Sequence, residues 1–345
     1  MADSGIPNTP DTAARTRAGS YGELARLVRE RGLLDRRPAT SFFSALALLA
    51  ALGIVIALMV SNRDSWWLLL LAPAMAVIAT QTSFLGHDIG HLQVTRNATT
   101  SRALGLVAGD LLSGLSYGWW VQKHNAHHAH PNDLDSDPDV RAGALIWDVS
   151  QGEGRRGVAA WWTRHQAILF FPLLLLEALN LHIASVRALA TPGLRLRGPE
   201  LLLLGAHFLG YTLLLLLTMT WQQALLFFVI HKGIQGLYLG CSFAPSHKGM
   251  PVLDAVQAHD PLLRQVLTSR NVRGGRIASA VYGGLNYQIE HHLFPSMPRR
   301  NLRRAQPLVR AFCRENQIPY AESSALECYA AALKHMHSVG ASARG

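Results

Sequence analysis

Uncharged apolar runs recur in pairs along this chain. From Phe42 to Val60 the sequence carries no charge, which is the length an α-helix needs to cross a hydrocarbon core of about 30 Å. Ser61-Asn62-Arg63-Asp64-Ser65 suffices for a turn, and Trp66–Leu85 is a second uncharged run opened by an interfacial tryptophan pair. The pattern predicts a helical hairpin that returns the chain to its starting side just before His87. Leu201–Met219 and Ala224–Ala244 predict a second hairpin with its tip at residues 220–223. His231, Lys232 and Gln235 interrupt its second arm; they are expected to face the bundle or an interface, because ionisable groups in contact with lipid are costly. Ala103–Trp120 and Ile168–Ile183 are also apolar but embed Asp110, and Glu177, Asn180 and His182, respectively. Both are predicted to lie along or dip into the interface, with a fifth crossing at 168–183 as the alternative.

Composition strengthens this reading. Charged residues are 16% of the chain against a hydrophobic 49%, well under the roughly 25% charged that is usual for soluble domains, so a soluble enzyme is disfavoured. The formal charge is +10, and its placement predicts orientation. Arginine occurs in the first 38 residues (Arg15, Arg17, Arg26, Arg29, Arg31, Arg36, Arg37), between the hairpins (Arg187, Arg195, Arg197) and after the second (Arg264, Arg270, Arg273, Arg276, Arg299, Arg300, Arg303, Arg304), whereas the two tips hold only Arg63. Both hairpins should therefore open to the cytoplasm, with both termini and all the histidine clusters on that side. The polar start has no apolar stretch followed by a cleavage site, so no secretory signal peptide is expected. The expected organisation is a polar cytoplasmic tail over 1–38, a membrane domain over 39–310, and a C-terminal helix and tail over 311–345. Cys241, Cys313 and Cys328 share no paired spacing, which disfavours a disulfide scaffold, a zinc ribbon and a cysteine-held cluster.

Histidine carries the candidate chemistry. Of 16 histidines, seven fall in three tight groups: His87-Asp-Ile-Gly-His91, His124-Asn-Ala-His127-His128 and Gln288-Ile-Glu-His291-His292. On a helix, positions i, i+3 and i+4 share a face, so each group presents a patch of imidazoles. Random placement would produce the HxxHH spacing about 0.03 times per chain. Seven imidazoles plus Gln288 exceed what one zinc ion needs and suit two ions with open positions. Nitrogen donors fit zinc, copper, iron and nickel alike, whereas calcium, magnesium and iron–sulfur chemistry fit poorly. Iron is preferred because a site beside apolar spans invites oxygen chemistry on a hydrocarbon, and zinc cannot change oxidation state.

These three groups, interleaved with two hydrophobic hairpins over roughly residues 40–310, resemble the histidine boxes of the integral-membrane fatty acid desaturases. The resemblance implies an all-α, multi-pass membrane protein: two transmembrane hairpins, interfacial helices and a cytoplasmic helical cap holding a di-metal site. It implies an O2-dependent di-iron enzyme that introduces a cis double bond into a fatty acyl chain, linked to CoA, to a carrier or to lipid. The two irons would be held by His87, His91, His124, His127, His128, His291 and His292, with no catalytic side chain beyond them. The family commonly has another ligand just past its last spanning helix, and His247 occupies that place here. Gln288 stands where many relatives have His, as in front-end and linoleoyl-type desaturases, and would be a weaker or water-mediated ligand. The His-Pro-Gly-Gly of a fused cytochrome b5 domain does not occur; His130-Pro131 is followed by Asn132. Electrons would come from a separate ferredoxin-type protein and its reductase, steered to the basic surface at Arg299, Arg300, Arg303 and Arg304, unless that cluster binds anionic lipid.

Carboxylates near the boxes, Asp88, Glu290, Asp135 and Asp137, are expected to accept the remaining ring N–H groups. An inert methylene offers no polar handle, so an apolar tunnel must set where the chain is held; Tyr117, Trp119, Trp120 and Tyr287 are candidate lining residues. His231 and Gln235, four apart, would line that path or support the metals. His165, His182, His207, His259, His335 and His337 lack box spacing and are expected at the surface or in helix packing, and His130 has a less favourable offset from His124 and His128. The aspartates of 133–139 lack the glycine and closing glutamate of a calcium loop and are expected to form a turn below the metals. Two other functions remain open: a membrane di-iron hydroxylase or ketolase acting on an alkane, sterol or carotenoid, and a membrane metal-binding or transport protein. No nucleic-acid partner is expected.

Overall fold

The structure, a computed structural model, describes residues 21–341; Arg15, Arg17 and the rest of 1–20 and 342–345 lie outside the described residues. Residues 21–30 form helix α1. The first hairpin is α2 (Pro38–Ser61), a 3₁₀ turn at Trp66–Leu70 and α3 (Leu71–Gly90). At 24 residues, α2 is about 36 Å long. It buries only Val55 and Met59, as expected of a helix whose other sides are solvated by lipid tails. The second hairpin is α9 (Arg197–Thr218) and α10 (Trp221–His247). All four arms are long and apolar enough to cross a membrane. The predicted runs were shorter than the helices because polar first and last turns continue the backbone ladder beyond the apolar core.

The hairpin tips meet. Asp64 N donates to Thr218 O at 2.9 Å, and Gln223 Nε2 donates to Asp64 O at 2.9 Å. Gln223 also closes a capping box with Thr220 at the start of α10. With the tips together, Pro38, Gly90, Arg197 and His247 lie at the opposite ends of the spans, so His87, His91 and His247 share one side of the bundle.

Between the hairpins run α4 (Ala98–Gly105), a π-helical continuation at Leu106–Ser113, α5 (Tyr117–Ala129), α6 (Gly157–Arg164), α7 (Gln166–Leu174) and α8 (Glu177–Ala188). The apolar stretch 168–183 is not one straight helix: α7 and α8 bend by 72°, beyond Pro172, which has no N–H to give the ladder. Gly236 on α10 permits the close approach of this bend, since a Cβ there would lie 2.5 Å from Leu174 O. Lys232 and Gln235 face the bundle as expected: Lys232 Nζ lies 3.0 Å from His182 Nε2 and 3.1 Å from Gln235 Oε1.

After α10 the chain forms the cap: α11 (Ala255–His259), α12 (Pro261–Leu267), β1 (Asn271–Arg273), α13 (Gly275–Val281), α14 (Gln288–Leu293), α15 (Arg299–Glu315), β2 (Glu322–Ser324) and α16 (Ala325–Ala341). Among the described residues the architecture is all-α apart from β1 and β2, a short parallel pair in register Asn271↔Glu322 to Arg273↔Ser324. Two segments depart from the expected organisation. Residues 21–38 are not a loose polar tail: Leu24, Val28 and Leu33 bury in the cap core with Leu262, Ile289, Leu293 and Val309, because their spacing makes one apolar face that the surrounding arginines obscure in composition. The boundary at 310 falls inside α15, and Ala332 and Met336 of α16 pack with Phe170 and Ala244.

Candidate metal centre

Each histidine group rides on the end of an element. His87 occupies the last turn of α3, with His91 as its C-cap. His124, His127 and His128 lie on α5, whose N-cap Ser116 accepts from Trp119 N and donates to Glu200. His247 ends α10, and Gln288, His291 and His292 lie on α14, of which all six residues are buried. From these separate elements the side chains converge. Ligand nitrogens of His87, His91, His124 and His291 lie within 4.8 Å of one another, and so do those of His127, His247 and His292. His128 sits between the groups, its ring stacked on His292 at 4.2 Å and its Nε2 3.1 Å from His124 Nε2. All eight expected residues are thus in one cluster. Trp120 buttresses it, stacking on His124 with centroids 4.5 Å apart; Gly90 makes room, because a Cβ there would meet that indole at 2.6 Å.

The donor set fits metal ions. Burial, then the neighbouring imidazoles, hold the ring pKa values of His91, His124, His128, His291 and His292 well below the ordinary range, so the rings are neutral and carry lone pairs. His91 Nε2, His128 Nδ1, His291 Nδ1 and His292 Nε2 are buried without a hydrogen-bond partner. His87 Nε2 and His291 Nε2 face each other at 3.2 Å. Orphaned buried nitrogens are expensive unless something receives them, and an all-nitrogen set with open positions suits transition metals.

The supporting carboxylates differ from expectation. Asp137 accepts from His127 Nδ1 at 2.9 Å and is held by Asn132 N and Asp139 N at 2.8 Å each, so the 133–139 turn does pack against the cluster. Asp135 is exposed and its backbone N–H bonds Asp133; among the described residues it supports no imidazole. Glu290 accepts from Asn271 Nδ2 at 2.8 Å and Tyr320 Oη at 2.7 Å, not from a ring. Residues 288, 291 and 292 share one face of α14 and 290 points from another. Burial pushes the Glu290 carboxyl up to about 7. Asp88 approaches His87 Nδ1 only at 3.5 Å and gives its other oxygen to Arg299 at 2.5 Å. Gln288 Nε2 lies 2.9 Å from His247 Nε2, at the second nitrogen group.

Other expectations are corrected. His130 is exposed at the C-cap of α5. His231 is sixteen residues, about 24 Å along α10, from His247, and bonds Tyr211 Oη at 2.6 Å; it cannot support the metals. It lines an apolar cavity of 860 Å³ together with residues such as Leu49, Leu52, Ile78, Leu85 and Ile89. None of Tyr117, Trp119, Trp120 and Tyr287 lines that cavity: Trp120 packs against the histidines, Tyr287 in the cap core and Tyr117 against Gly105. Ile89, between His87 and His91, is where the cavity wall comes nearest the first group in sequence. Sequence reasoning missed Gln265, Asn271 and Tyr320, which bond ligand-bearing elements from segments without motif spacing.

Comparison with known proteins agrees. The family described as "Fatty acid desaturase" matches residues 64–324. An acyl-lipid (9-3)-desaturase of Borago officinalis is 27% identical over 284 residues, covering 78% of this chain and 63% of that protein. Delta(8)-fatty-acid desaturase 2 of Arabidopsis thaliana is 26% identical over 342 residues, covering 94% and 75%. An acyl-lipid (9-3)-desaturase of Physcomitrium patens is 30% identical over 282 residues, covering 78% and 53%. The chain therefore spans less than two thirds of the first and third of these relatives. With the matched region running from the tip of the first hairpin through the second hairpin and all three histidine groups, the chain belongs to the fatty acid desaturase family.

Proposed function

We propose that the chain is an O2-dependent acyl desaturase with two histidine-held irons, working at the cytoplasmic face of a membrane. The observation that carries this reading is the meeting of eight histidines from four separate elements in one cluster at one end of four apolar spans. His87, His91, His124 and His291 would hold one ion and His127, His247 and His292 the other, with His128 between them and Gln288 as a weak donor at the second. Bound iron would supply the redox capacity to activate O2 and remove two hydrogens from adjacent methylenes. The protein's own residues do the rest: neutral imidazoles present lone pairs, Asp137 holds the His127 ring, and apolar walls exclude water and position a chain by shape. The similar proteins are named for Δ5, Δ6 and Δ8 positions, for acyl-lipid substrates and for sphingolipid substrates, so we extend a carboxyl-proximal, lipid-linked acyl substrate to this chain.

Two electrons per turnover would come from a separate ferredoxin-type donor and its reductase. Arg300, Arg303 and Arg304 are exposed on α15, and such a surface favours encounter with an acidic carrier. Expression with a ferredoxin and its reductase in a host of simple lipid content, followed by mass spectrometry of the acyl chains, tests the assignment. The expected product is two mass units lighter with a new double bond. A product heavier by one oxygen would instead identify a hydroxylase, and unchanged lipids with iron-loaded protein would refute both.

A further inference from the structure

The two nitrogen groups are built differently. In the group His127, His247 and His292, every Nδ1 meets a fixed acceptor. His127 Nδ1 meets the Asp137 carboxylate at 2.9 Å, His247 Nδ1 the carbonyl of Thr268 at 3.1 Å, and His292 Nδ1 the Gln265 Oε1 at 3.0 Å. A carbonyl and a carboxylate only accept. Gln265 Nε2 donates to the backbone oxygen of His128 at 2.8 Å, which fixes its amide so that the oxygen faces His292. All three rings must therefore carry their proton on Nδ1, leaving three Nε2 lone pairs within reach of one ion, with Gln288 Nε2 2.9 Å from that of His247.

The other group has no such frame. His91 Nε2 and His291 Nδ1 have no partner, and the one polar contact behind His87 is Asp88 at 3.5 Å, a carboxylate already engaged by Arg299. His124 Nε2 lies 3.1 Å from His128 Nε2, and the four rings pack against one another and Trp120 without a backbone carbonyl or amide oxygen that sets their tautomer among the contacts described. Fixed rings lose less freedom when an ion arrives, and outer hydrogen bonds raise ligand basicity.

We propose that the two metal positions are inequivalent: the first ion enters at His127, His247 and His292, and Gln265 is the positioning residue that presets this site by orienting His292 while tying it to the backbone of the second histidine group. This rests on the two-metal reading above. Gln265 lies on α12, which begins at Pro261 and is capped by the Asp260 side chain, so the tight position depends on a segment outside the histidine motifs.

The test is Co(II) titration of the metal-free full-length protein in detergent, read by absorption. Wild type should take up two equivalents in two resolved steps. In Gln265→Leu the tight step should weaken by about 10–100-fold while the weak step stays where it is. His91→Ala should lose the weak step and keep the tight one. Equal weakening of both steps in Gln265→Leu would mean a merely structural role and overturn the assignment, as would loss of the tight step in His91→Ala. Should Gln265→Leu not fold, release of Co(II) from wild type into excess chelator decides: two phases of equal amplitude are expected, and a single phase overturns inequivalence. A wild type that binds no metal would defeat the metal centre itself, an outcome distinct from two equivalent sites.

Discussion

The spanning layer and the cap place opposite demands on their residues. In α2 only Val55 and Met59 are buried, and Phe42, Phe43 and Ile54 are more than half exposed to the surrounding lipid. In α14 every residue is buried, and four of the six, Gln288, Glu290, His291 and His292, are polar. Lipid is a permissive solvent for any apolar side chain, so the spans need length and hydrophobicity but little detail. A buried polar cluster has the reverse requirement, because each unpaired group there costs free energy and only specific partners remove that cost. The chemistry is concentrated where the structure is most exactingly specified.

Removing a ligand should produce the largest contrast between the two layers. His127→Ala or His291→Ala should abolish double-bond formation and lower bound metal while the protein remains inserted in the membrane; membrane fractionation alongside lipid analysis checks both halves of that expectation. Normal product from either variant would break the comparison at its centre. Next is Asn271→Ala, distant in sequence from any box. Asn271 donates to Glu290 and accepts from Ile289 N at 2.9 Å, so its loss leaves buried groups at α14 unpaired. A destabilisation of about 3 kcal/mol is expected, measured by denaturant unfolding in detergent.

Within the spans, detail should matter only where backbones touch. Gly236→Ala would force α10 from the α7–α8 bend and should cost about 2 kcal/mol in the same assay, although alanine is the better helix former. At the far end of the scale, Ile54→Ala on the lipid face of α2 should shift stability by less than about 0.5 kcal/mol and leave product yield unchanged. A larger effect there would mean that α2 has a protein partner on that face.

Much of this was legible from side-chain pattern. Apolar runs located the four spans to within a few residues, and the pairing of short and long links gave two hairpins. The box spacings delivered seven of the clustered histidines, and the family resemblance delivered His247. What misled was local proximity. Asp135 and Glu290 are as close in sequence to the boxes as Asp137, yet only Asp137 points at a ring, because a turn and a helix aim neighbouring side chains in different directions. His231 shares α10 with His247 but sits about 24 Å away along that helix.

Sequence alone determined which segments enter the membrane and which residues can bind metal, since both depend on properties that a residue carries with it: apolar surface, length of run, and a nitrogen lone pair. Tertiary structure alone decided that Gln265, the carbonyl of Thr268 and Asn271 serve the cluster, that 21–38 joins the cap, and that the two nitrogen groups differ. Those outcomes depend on hydrogen bonds between elements far apart in the chain. Such bonds have fixed direction and short range, so no local pattern records them until the fold brings donor and acceptor together.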